Sequence, residues 1–259
     1  MIEHYFRPST LQEAISLLKG IGRIPLAGGT FITSILSKDR ETYELVDLQD
    51  LQLDNITITK EIITIGATTT LQALIEHQFF SDPFKKSIIL EAPLNLRNSI
   101  SMGGLLRTCS GKSPFATCLL SLDAKIILEP HSKIIPIQDF LLFREKHFPG
   151  SLITKIQFLT DQQVSFHSIA RTKYDIPILF ISLTRKGSNR FRQSLGGFGI
   201  TPLLTVDGND KDDYPQAARS ACANVSDPLA SAEYRSAMAE VLSKRCLNSM
   251  VPLILYPIE

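Results

Sequence analysis

The residues of this chain that are best suited to bind a ligand lie at two glycine pairs. The first pair is Gly28-Gly29 and the second is Gly103-Gly104, each flanked by apolar residues and small hydroxyls. Adjacent glycines accept positive φ and place no Cβ in the path of a ligand. Backbone N–H groups in such turns can converge on an anion, as in phosphate-binding nests. One pair alone fits a tight turn, but two pairs with matching surroundings favour a dinucleotide site in which both loops hold one diphosphate.

The sequence around the first pair predicts a small β/α unit. Residues 11–18 carry an amphipathic helical pattern, and Thr10 with Glu13 can form a capping box before it. Residues 23–27 are typical of a buried strand that ends at the first glycine pair. Residues 31–37 then predict a short helix whose N-terminal amides would add to the anion site. A second strand over residues 43–48 completes the unit.

The sequence around the second pair predicts two hairpins and three helices. The hairpins are formed by residues 56–59 with 62–67 and by residues 124–128 with 133–137, where apolar and polar residues alternate. Helices are expected near residues 68–77, 83–90 and 115–122, the first capped by Thr68 or Thr69. A loop rich in charged and aromatic residues is expected from Asp139. A strand follows over residues 151–159.

The composition shifts after residue 160, which predicts a domain boundary there. Three strands are expected over residues 165–171, 178–185 and 191–198, followed by helices near 215–223 and 233–247. The acidic stretch with Asp207, Asn209 and Asp212 resembles part of a calcium loop, but it has no closing Glu, so a solvated polar loop is expected. The predicted domains are residues 1–53, 54–160 and 161–259.

Composition narrows the classes of partner. The 259 residues contain 27 basic and 26 acidic side chains, so a net charge of +1 favours neither a nucleic acid nor a membrane surface. The sequence shows no signal peptide and no apolar run of about 18 residues. The four cysteines lack the spacing of a metal site or a disulfide framework and suit reduced thiols. We therefore expect a cytoplasmic protein that binds no metal.

Seven motifs in order make the chain resemble a known family. They lie at residues 6–8, 26–30, 65–71, 97–104, 119–124, 195–202 and 234–235. In these motifs the chain is similar to the FAD-binding (medium) subunit of molybdenum hydroxylases, such as xanthine dehydrogenase and aerobic CO dehydrogenase. The resemblance covers essentially the whole chain. Its length and small C-terminal domain most resemble the FAD subunits of purine-type hydroxylases, including those associated with selenate reduction.

This resemblance implies an α+β fold of the vanillyl-alcohol-oxidase/MurB type. Two FAD-binding subdomains would be followed by a C-terminal three-stranded sheet with helices. In the family, a molybdopterin-binding large subunit oxidises the substrate, and an iron–sulfur small subunit passes the electrons to FAD. The usual final acceptor is NAD⁺. The resemblance therefore implies an electron-transferring oxidoreductase subunit whose redox chemistry belongs to the flavin.

The resemblance also implies which residues hold FAD, and no catalytic acid, base or nucleophile is expected among them. The first loop would bind the pyrophosphate through backbone amides of Leu26, Ala27, Gly28, Gly29, Thr30, Phe31 and Ile32. Ser101, Gly103 and Gly104 would hold it from the other side. Thr108 and Ser113 would lie near the ribityl chain and phosphates, and Leu152 or Ile153 would pack on a ring.

Three positions depart from the family pattern and leave alternatives open. Leu105 replaces a common Asn, Pro114 a ribityl-binding Asp, and Ser168 a Lys. Each lost polar contact would cost about 1–3 kcal/mol unless Arg107 or Lys112 compensates, and both of these also fit plain surface charge. One alternative is a degenerate scaffold subunit that binds FAD weakly or not at all. Another is a stand-alone flavoenzyme such as a wall-synthesis reductase, although acid–base residues for a substrate are missing.

Overall fold

The computed structural model describes residues 1–36, 41–147, 150–172, 175–187, 190–209 and 213–250. Its strands are β1 (Ile2–Phe6), β2 (Arg23–Leu26), β3 (Tyr43–Asp47), β4 (Ile56–Ile58), β5 (Ile62–Gly66), β6 (Lys125–Glu129), β7 (Lys133–Pro136), β8 (Leu152–Leu159), β9 (Gln162–Ile169), β10 (Leu179–Lys186), β11 (Arg190–Gly196) and β12 (Leu203–Gly208). Its helices are α1 (Leu11–Leu17), α2 (Thr30–Leu36), α3 (Leu71–Glu76), α4 (Asp82–Ile89), α5 (Leu94–Arg97), α6 (Met102–Thr108), α7 (Pro114–Ser121), α8 (Ile137–His147), α9 (Asp213–Ala221) and α10 (Ala232–Asn248).

The chain forms two compact units. The first comprises residues 1–80, 91–109 and 123–160, and the second comprises residues 81–90, 110–122 and the described residues after 160. Two short segments before residue 160 are thus grouped with the C-terminal part, and neither unit is one continuous stretch. The linear domain boundaries at residues 53 and 160 stay predictions. Within the described residues, no helix has the length and apolar character needed to cross a membrane.

A three-stranded parallel sheet with the order β1-β3-β2 begins the first unit. Before α1, the Thr10 hydroxyl accepts a hydrogen bond from the amide of Glu13 at 3.2 Å, as the capping-box pattern predicts. The Glu13 carboxylate in turn accepts from the amide of Ser9 at 3.0 Å, one residue earlier than in a standard box. Ala14 of α1 and Val46 of β3 are fully buried in the core of this layer. The sequence does not predict β1, because its side chains are mostly exposed and give no alternation.

A five-stranded antiparallel sheet with the order β4-β5-β8-β6-β7 completes the strands of the first unit. The two predicted hairpins are confirmed as the pairs β4–β5 and β6–β7. Ile65, Ile126 and Ile156 lie on three neighbouring strands and are fully buried. The alternation of apolar and polar residues was a sufficient signal here, since one face of each strand is covered.

Two local predictions in the first unit are wrong. The N-cap of α3 is Thr70, whose hydroxyl accepts from the amide of Ala73 at 3.3 Å, and neither of the two threonines before it takes this role. The stretch from Asp139, predicted as a loop, is part of helix α8. Phe140 and Leu141 are buried on that helix. Charged residues around them conceal this short apolar face in the sequence.

The second unit contains an antiparallel sheet with the order β12-β11-β10-β9, against which α10 packs. Within the described residues this sheet has four strands, so the predicted three-stranded sheet is wrong. The missed strand is β12, in which Asp207 accepts hydrogen bonds from Arg190 and forms a salt bridge at 2.9 Å. The strand runs into an acidic segment, which is why its pattern predicts a polar loop. Asp212 of that predicted loop lies outside the described residues.

Candidate functional site

A cavity of about 570 Å³ lies within the first unit. Both glycine pairs line it, together with the residues that enter β8. Its walls are mostly apolar, with a few hydroxyl groups and two arginines. Cavities of this size and character are typical of cofactor and small-molecule sites. The cavity is therefore the candidate functional site.

The first glycine pair lies at the carboxyl end of β2, and α2 begins directly after it at Thr30. Gly29 has φ of +70°, a conformation that other residues rarely adopt. Its carbonyl accepts from the amide of Thr33 at 3.0 Å and so starts the helix. Within the described part of the chain, the amides of Gly28 and Gly29 donate to no main-chain or side-chain acceptor. The loop thus presents two amide donors at the carboxyl edge of a parallel sheet, where nucleotides commonly bind. The predicted helix extends to Ser37, which lies outside the described residues.

The second glycine pair lies in the first turn of α6, which Ser101 caps. Its amides are used inside the protein. The amide of Gly103 donates to the carbonyl of Ala67 at 2.8 Å, and the amide of Gly104 donates to the Ser101 hydroxyl at 3.3 Å. A Cβ at Gly103 would lie 3.1 Å from the Ala67 Cβ, closer than an ordinary contact. Glycine is needed here for close packing of α6, and these two amides do not point to an anion.

The two loops touch at Gly28. A Cβ built on this residue would lie 1.4 Å from the carbonyl oxygen of Ser99, so only glycine fits. The next residue along the chain, Ile100, lines the cavity. This contact holds the wall made by the first loop against the wall made by the second. The sequence predicts that the two pairs share one site, but a backbone contact between them depends on tertiary packing.

Most of the residues that the resemblance assigns to FAD line this cavity. They are Ala27, Gly28, Gly29, Thr30, Phe31, Ile32, Ser101, Gly103, Gly104, Thr108 and Leu152, together with the stated alternative Ile153. Two assigned residues are not part of the lining. Leu26 is the last residue of β2. Ser113 belongs to the second unit, where its hydroxyl accepts from the amide of Ala116 at 3.1 Å and caps α7.

Other lining residues were not assigned to the site from the sequence. Ala67 and Ile100 lie within two of the family motifs. The rest lie outside these motifs: Leu18, Gly20, Arg23, Ile24, Pro25, Leu48, Gly150 and Ser151. For Leu48 a signal was available, because it follows β3 and the carboxyl ends of neighbouring parallel strands meet at one edge. Gly150 and Ser151 line the cavity because they directly precede β8, and no local sequence pattern indicates where β8 lies in the sheet.

Two arginines are the charged residues of the cavity, and no described residue of its lining is acidic. Arg23 forms a salt bridge of 2.5 Å with Glu44, and its guanidinium lies 4.7 Å from the centre of the Phe6 ring. Arg107 donates from Nη1 to the carbonyl of Arg144 at 2.9 Å. Both guanidinium groups are therefore held by contacts within the protein, and the described lining has no carboxylate that would repel an anion.

The buried Arg144 of α8 fixes the carboxyl end of α6. Its guanidinium donates to the carbonyls of Leu106, at 2.9 Å, and of Cys109. A cation at this end of a helix also interacts favourably with the helix dipole. Arg144 Nη1 lies 3.1 Å from the Cys109 sulfur, yet burial dominates and raises the pKa of that thiol to about 11. The anchor holds the last turn of α6, with Arg107 and Thr108, at the cavity wall.

Comparison with protein families identifies the region that contains the cavity. A family model described as the FAD binding domain in molybdopterin dehydrogenase matches residues 1–158. That range contains both glycine pairs and every residue that lines the cavity. The chain belongs to this family. Its cofactor is therefore FAD, and the chain is a flavoprotein subunit of the oxidoreductases of the molybdenum hydroxylase type, as the resemblance predicts.

Two relatives extend this result. The Escherichia coli K12 protein YgfM, described as uncharacterized, is 23% identical over 226 residues, which cover 86% of this chain and 85% of YgfM. The nicotinate dehydrogenase FAD-subunit of Eubacterium barkeri is 29% identical over 134 residues. That match covers 48% of this chain and 45% of the subunit. The similarity to YgfM thus continues well beyond the family-matched region.

Solved structures of CO dehydrogenase contain chains of the same fold. A chain of the enzyme from Hydrogenophaga pseudoflava has a TM-score of 0.81 at 21% identity and covers 96% of both chains. A chain of the reconstituted enzyme from Oligotropha carboxidovorans has a TM-score of 0.78 at 25% identity. It covers 95% of this chain and 96% of that one. This coverage confirms the predicted α+β, FAD-binding fold class along the chain.

The lining of the cavity fits FAD, the cofactor of this family. The amides of Gly28 and Gly29 suit a diphosphate. Apolar side chains such as Leu152 and Ile153 suit a flat aromatic ring, and no described residue of the walls has a carboxylate that would repel the phosphates. The lining therefore offers donors for a diphosphate and an apolar surface for a ring.

The three departures from the family pattern lie in different places. Leu105 is buried on α6 and lines the cavity, so its apolar side chain replaces a polar one at the site itself. Pro114 is the first residue of α7 in the second unit. Ser168 is on β9 of the second unit and pairs with Phe180 of β10. Only the first departure changes the described lining of the cavity.

Proposed function

We propose that this chain is the FAD-binding electron-transfer subunit of a molybdenum-containing hydroxylase. The observation that carries this proposal is the cavity walled by both glycine pairs inside the family-matched region. Its described lining holds amides, hydroxyls and arginines, but no Asp, Glu, His, Cys, Lys or Tyr. Such a lining binds and orients a cofactor while supplying no acid, base or nucleophile of its own.

The roles of the chain's own residues follow from the geometry of the two loops. The amides of Gly28 and Gly29 would bind the diphosphate. Leu105, Leu152 and Ile153 would form an apolar wall that keeps water from the flavin and strengthens electrostatic interactions inside the cavity. When bound, FAD supplies the acceptance and release of electrons. The protein's contribution is thus position, exclusion of water and local charge.

We further propose two partner subunits, one binding molybdopterin and one holding iron–sulfur clusters. The relative from Eubacterium barkeri is named as the FAD-subunit of nicotinate dehydrogenase. The Hydrogenophaga structure is described as a CO dehydrogenase that lacks the Mo-pyranopterin moiety of the molybdenum cofactor. Within the described residues, no group of His, Cys, Asp and Glu side chains could hold a metal ion. Electrons would pass from the partner's clusters to FAD on this chain, and then to NAD⁺ or another acceptor.

A xanthine dehydrogenase-like complex that oxidises a purine is the finer proposal. It is supported by the small C-terminal domain, which resembles that of purine-type members. The substrate would bind on the large subunit, so a purine assay requires the assembled complex. A cytoplasmic location stays a prediction, based on the four cysteines, all of which are free thiols.

A second candidate function is a scaffold subunit that has lost FAD. The observations that favour it are the apolar Leu105 in the lining and the amides of Gly103 and Gly104, which already have acceptors. In that case the first loop would remain as a structural turn. The amides of Gly28 and Gly29, which have no acceptor among the described residues, argue for the FAD-binding subunit instead.

The visible absorption spectrum of the purified full-length chain, with and without added FAD, tests the proposed function. We expect flavin bands that reach one FAD per chain and a higher unfolding temperature when FAD is present, because a ligand that binds the native state stabilises it. Bovine serum albumin treated with FAD in parallel controls for non-specific adsorption. A chain that FAD neither colours nor stabilises would support the scaffold function.

A further inference from the structure

We propose that the free lateral edge of β2 binds the adenine base of FAD through the carbonyl of Pro25 and the amide of Ala27. This inference rests on the proposed function, since it requires FAD in the cavity. The family resemblance assigns the amide of Ala27 to the diphosphate, together with the amides of the glycine pair. The position of this amide on the strand edge gives it a different role, in which main-chain groups select the base of the dinucleotide.

The direction of the two groups follows from the pairing of β2. This strand lies at one side of the three-stranded sheet, and among the described residues it pairs with β3 alone. The carbonyl of Leu26 accepts from the amide of Leu48 at 2.8 Å. Since the C=O and N–H of a trans peptide point in opposite directions, the amide of Ala27 points away from β3. Alternate residues of a strand bond to the same neighbour, so the carbonyl of Pro25 points to the free side as well.

Both groups are available to a ligand. Neither the carbonyl of Pro25 nor the amide of Ala27 has a hydrogen-bond partner among the described residues. Both residues line the cavity, and so does Ile24. Successive residues of a strand face opposite sides of a sheet, so a lining that contains Ile24 and Pro25 is expected of a cavity that reaches the strand edge. The free carbonyl and the free amide therefore lie at the cavity wall.

This edge is poorly suited to a further strand. Pro25 has no N–H, and the amide of Arg23 already donates to the carbonyl of Gly20 at 3.4 Å. Among residues 23–27, all of which the structure describes, the amide of Ala27 is thus the one donor left on the free side. A proline on an edge strand interrupts the ladder that an added strand would need. A small ligand with one donor and one acceptor fits this edge better.

Adenine has the complementary pair of groups. Its N6 amino group donates, and the ring nitrogen next to that group accepts. In a parallel ladder, a carbonyl and an amide two residues apart bind the N–H and the C=O of one residue of the neighbouring strand. The carbonyl of Pro25 and the amide of Ala27 have this spacing, so they can bind the adjacent donor and acceptor of the base.

The surroundings favour adenine over the flavin ring at this edge. Ala27 directly precedes Gly28, whose free amide suits the diphosphate. In FAD a single ribose joins the adenine to the diphosphate, whereas the longer ribityl chain separates the flavin ring from it. Leu18 and Leu152 line the cavity and pack in one cluster with Ala27, so apolar side chains lie beside the edge to cover a flat base.

The first test compares Kd values of the full-length chain for FAD and for flavin hypoxanthine dinucleotide, in which an oxygen replaces the N6 amino group. The carbonyl of Pro25 would then face an acceptor and lose its donor. We expect the Kd for the analogue to be about ten- to a hundred-fold higher, because a site built for a donor rejects a ligand that lacks it. Equal Kd values for the two dinucleotides would overturn the inference.

The second test uses the variant A27P, which removes the amide donor. We expect its Kd for FAD to rise about ten-fold, with little change in its Kd for FMN, which has a flavin and a phosphate but no adenine. Equal losses for FAD and FMN would overturn the inference, since the amide would then serve the part that both ligands share. If circular dichroism shows that A27P is unfolded, the comparison of the two dinucleotides on the wild-type chain decides.

The wild-type chain also separates this inference from the proposed function. A chain that binds neither FAD nor FMN overturns both. A chain that binds FAD and its hypoxanthine analogue equally well keeps the proposed function and loses only the adenine site on β2.

Discussion

Both glycine pairs of the cavity are Gly-Gly dipeptides, but the glycines have different roles at the two positions. At the first pair, the backbone is left with donors that have no acceptor among the described residues, and Gly29 takes a positive φ. At the second pair, both amides are consumed by Ala67 and Ser101, and the missing Cβ allows α6 to pack closely. A Gly-Gly motif therefore does not identify an anion site until the acceptors of its amides are known.

The difference leaves the cavity asymmetric. The first wall presents amide donors that have no acceptor among the described residues, whereas the glycines of the second wall serve close packing and Leu105 adds an apolar side chain there. The bonds from Arg144 to the carbonyls of Leu106 and Cys109 hold the last turn of α6 at this second wall.

The largest effect is expected where the two loops touch. In Gly28→Ala, the new methyl group would overlap the carbonyl of Ser99, which can move only with its backbone. We expect a loss of about 3 kcal/mol or more in the free energy of unfolding, measured in urea. The control is Gly208→Ala, where a Cβ meets nothing within 4 Å and which should remain within about 0.5 kcal/mol of wild type. Equal stability of the two variants would refute the contact between the loops.

A smaller effect, on affinity, is expected at the first pair. In Gly29→Ala, a Cβ has room, since its nearest neighbour is a Leu26 methyl at 3.5 Å, but φ of +70° becomes strained. The backbone should rotate and turn its amides away, so we expect the Kd for FAD to rise about ten-fold, or roughly 1.4 kcal/mol. Gly22→Ala has φ of +77°, equally open space and no place in the lining, and is the control in an FAD titration. Equal loss of affinity in both variants would mean that strain alone, at either turn, weakens the site.

The smallest effect is expected at the second pair. In Gly103→Ala, the methyl group would press on Ala67 at 3.1 Å, while the helix interior gains the better propensity of alanine. We expect a net destabilisation of about 1 kcal/mol in thermal or urea unfolding, with a smaller loss of FAD affinity than in Gly29→Ala. A more stable Gly103→Ala variant would show that close packing is not the role of this glycine.

The sequence predicts the parts of the fold that local patterns determine. Alternating residues at 56–65 and 124–137 predict both hairpins, and the pattern after Thr10 predicts a capped α1. The strands β1 and β12 have no such signal, because exposed side chains in one and an acidic end in the other remove the alternation. The N-cap of α3 falls one or two residues away from its prediction, since three threonines in a row offer equal capping chemistry.

The same distinction between local sequence patterns and tertiary packing applies to the candidate site. The glycine pairs and most of the residues assigned from the family motifs do line one cavity. What could not be predicted is set by tertiary contacts: which amides already have acceptors, which of Arg107 and Lys112 lies at the wall, and that Ser113 belongs to the second unit. These properties arise from how distant segments pack, which no short stretch of sequence records.

The most direct test of this asymmetry is an FAD titration of the wild-type chain, Gly29→Ala and Gly103→Ala under one set of conditions. The fraction of folded chain is measured for each, so that affinity and stability are separated. Our account predicts that the wild-type chain binds one FAD, that Gly29→Ala loses mainly affinity, and that Gly103→Ala loses mainly stability. A greater loss of affinity in Gly103→Ala than in Gly29→Ala would contradict it.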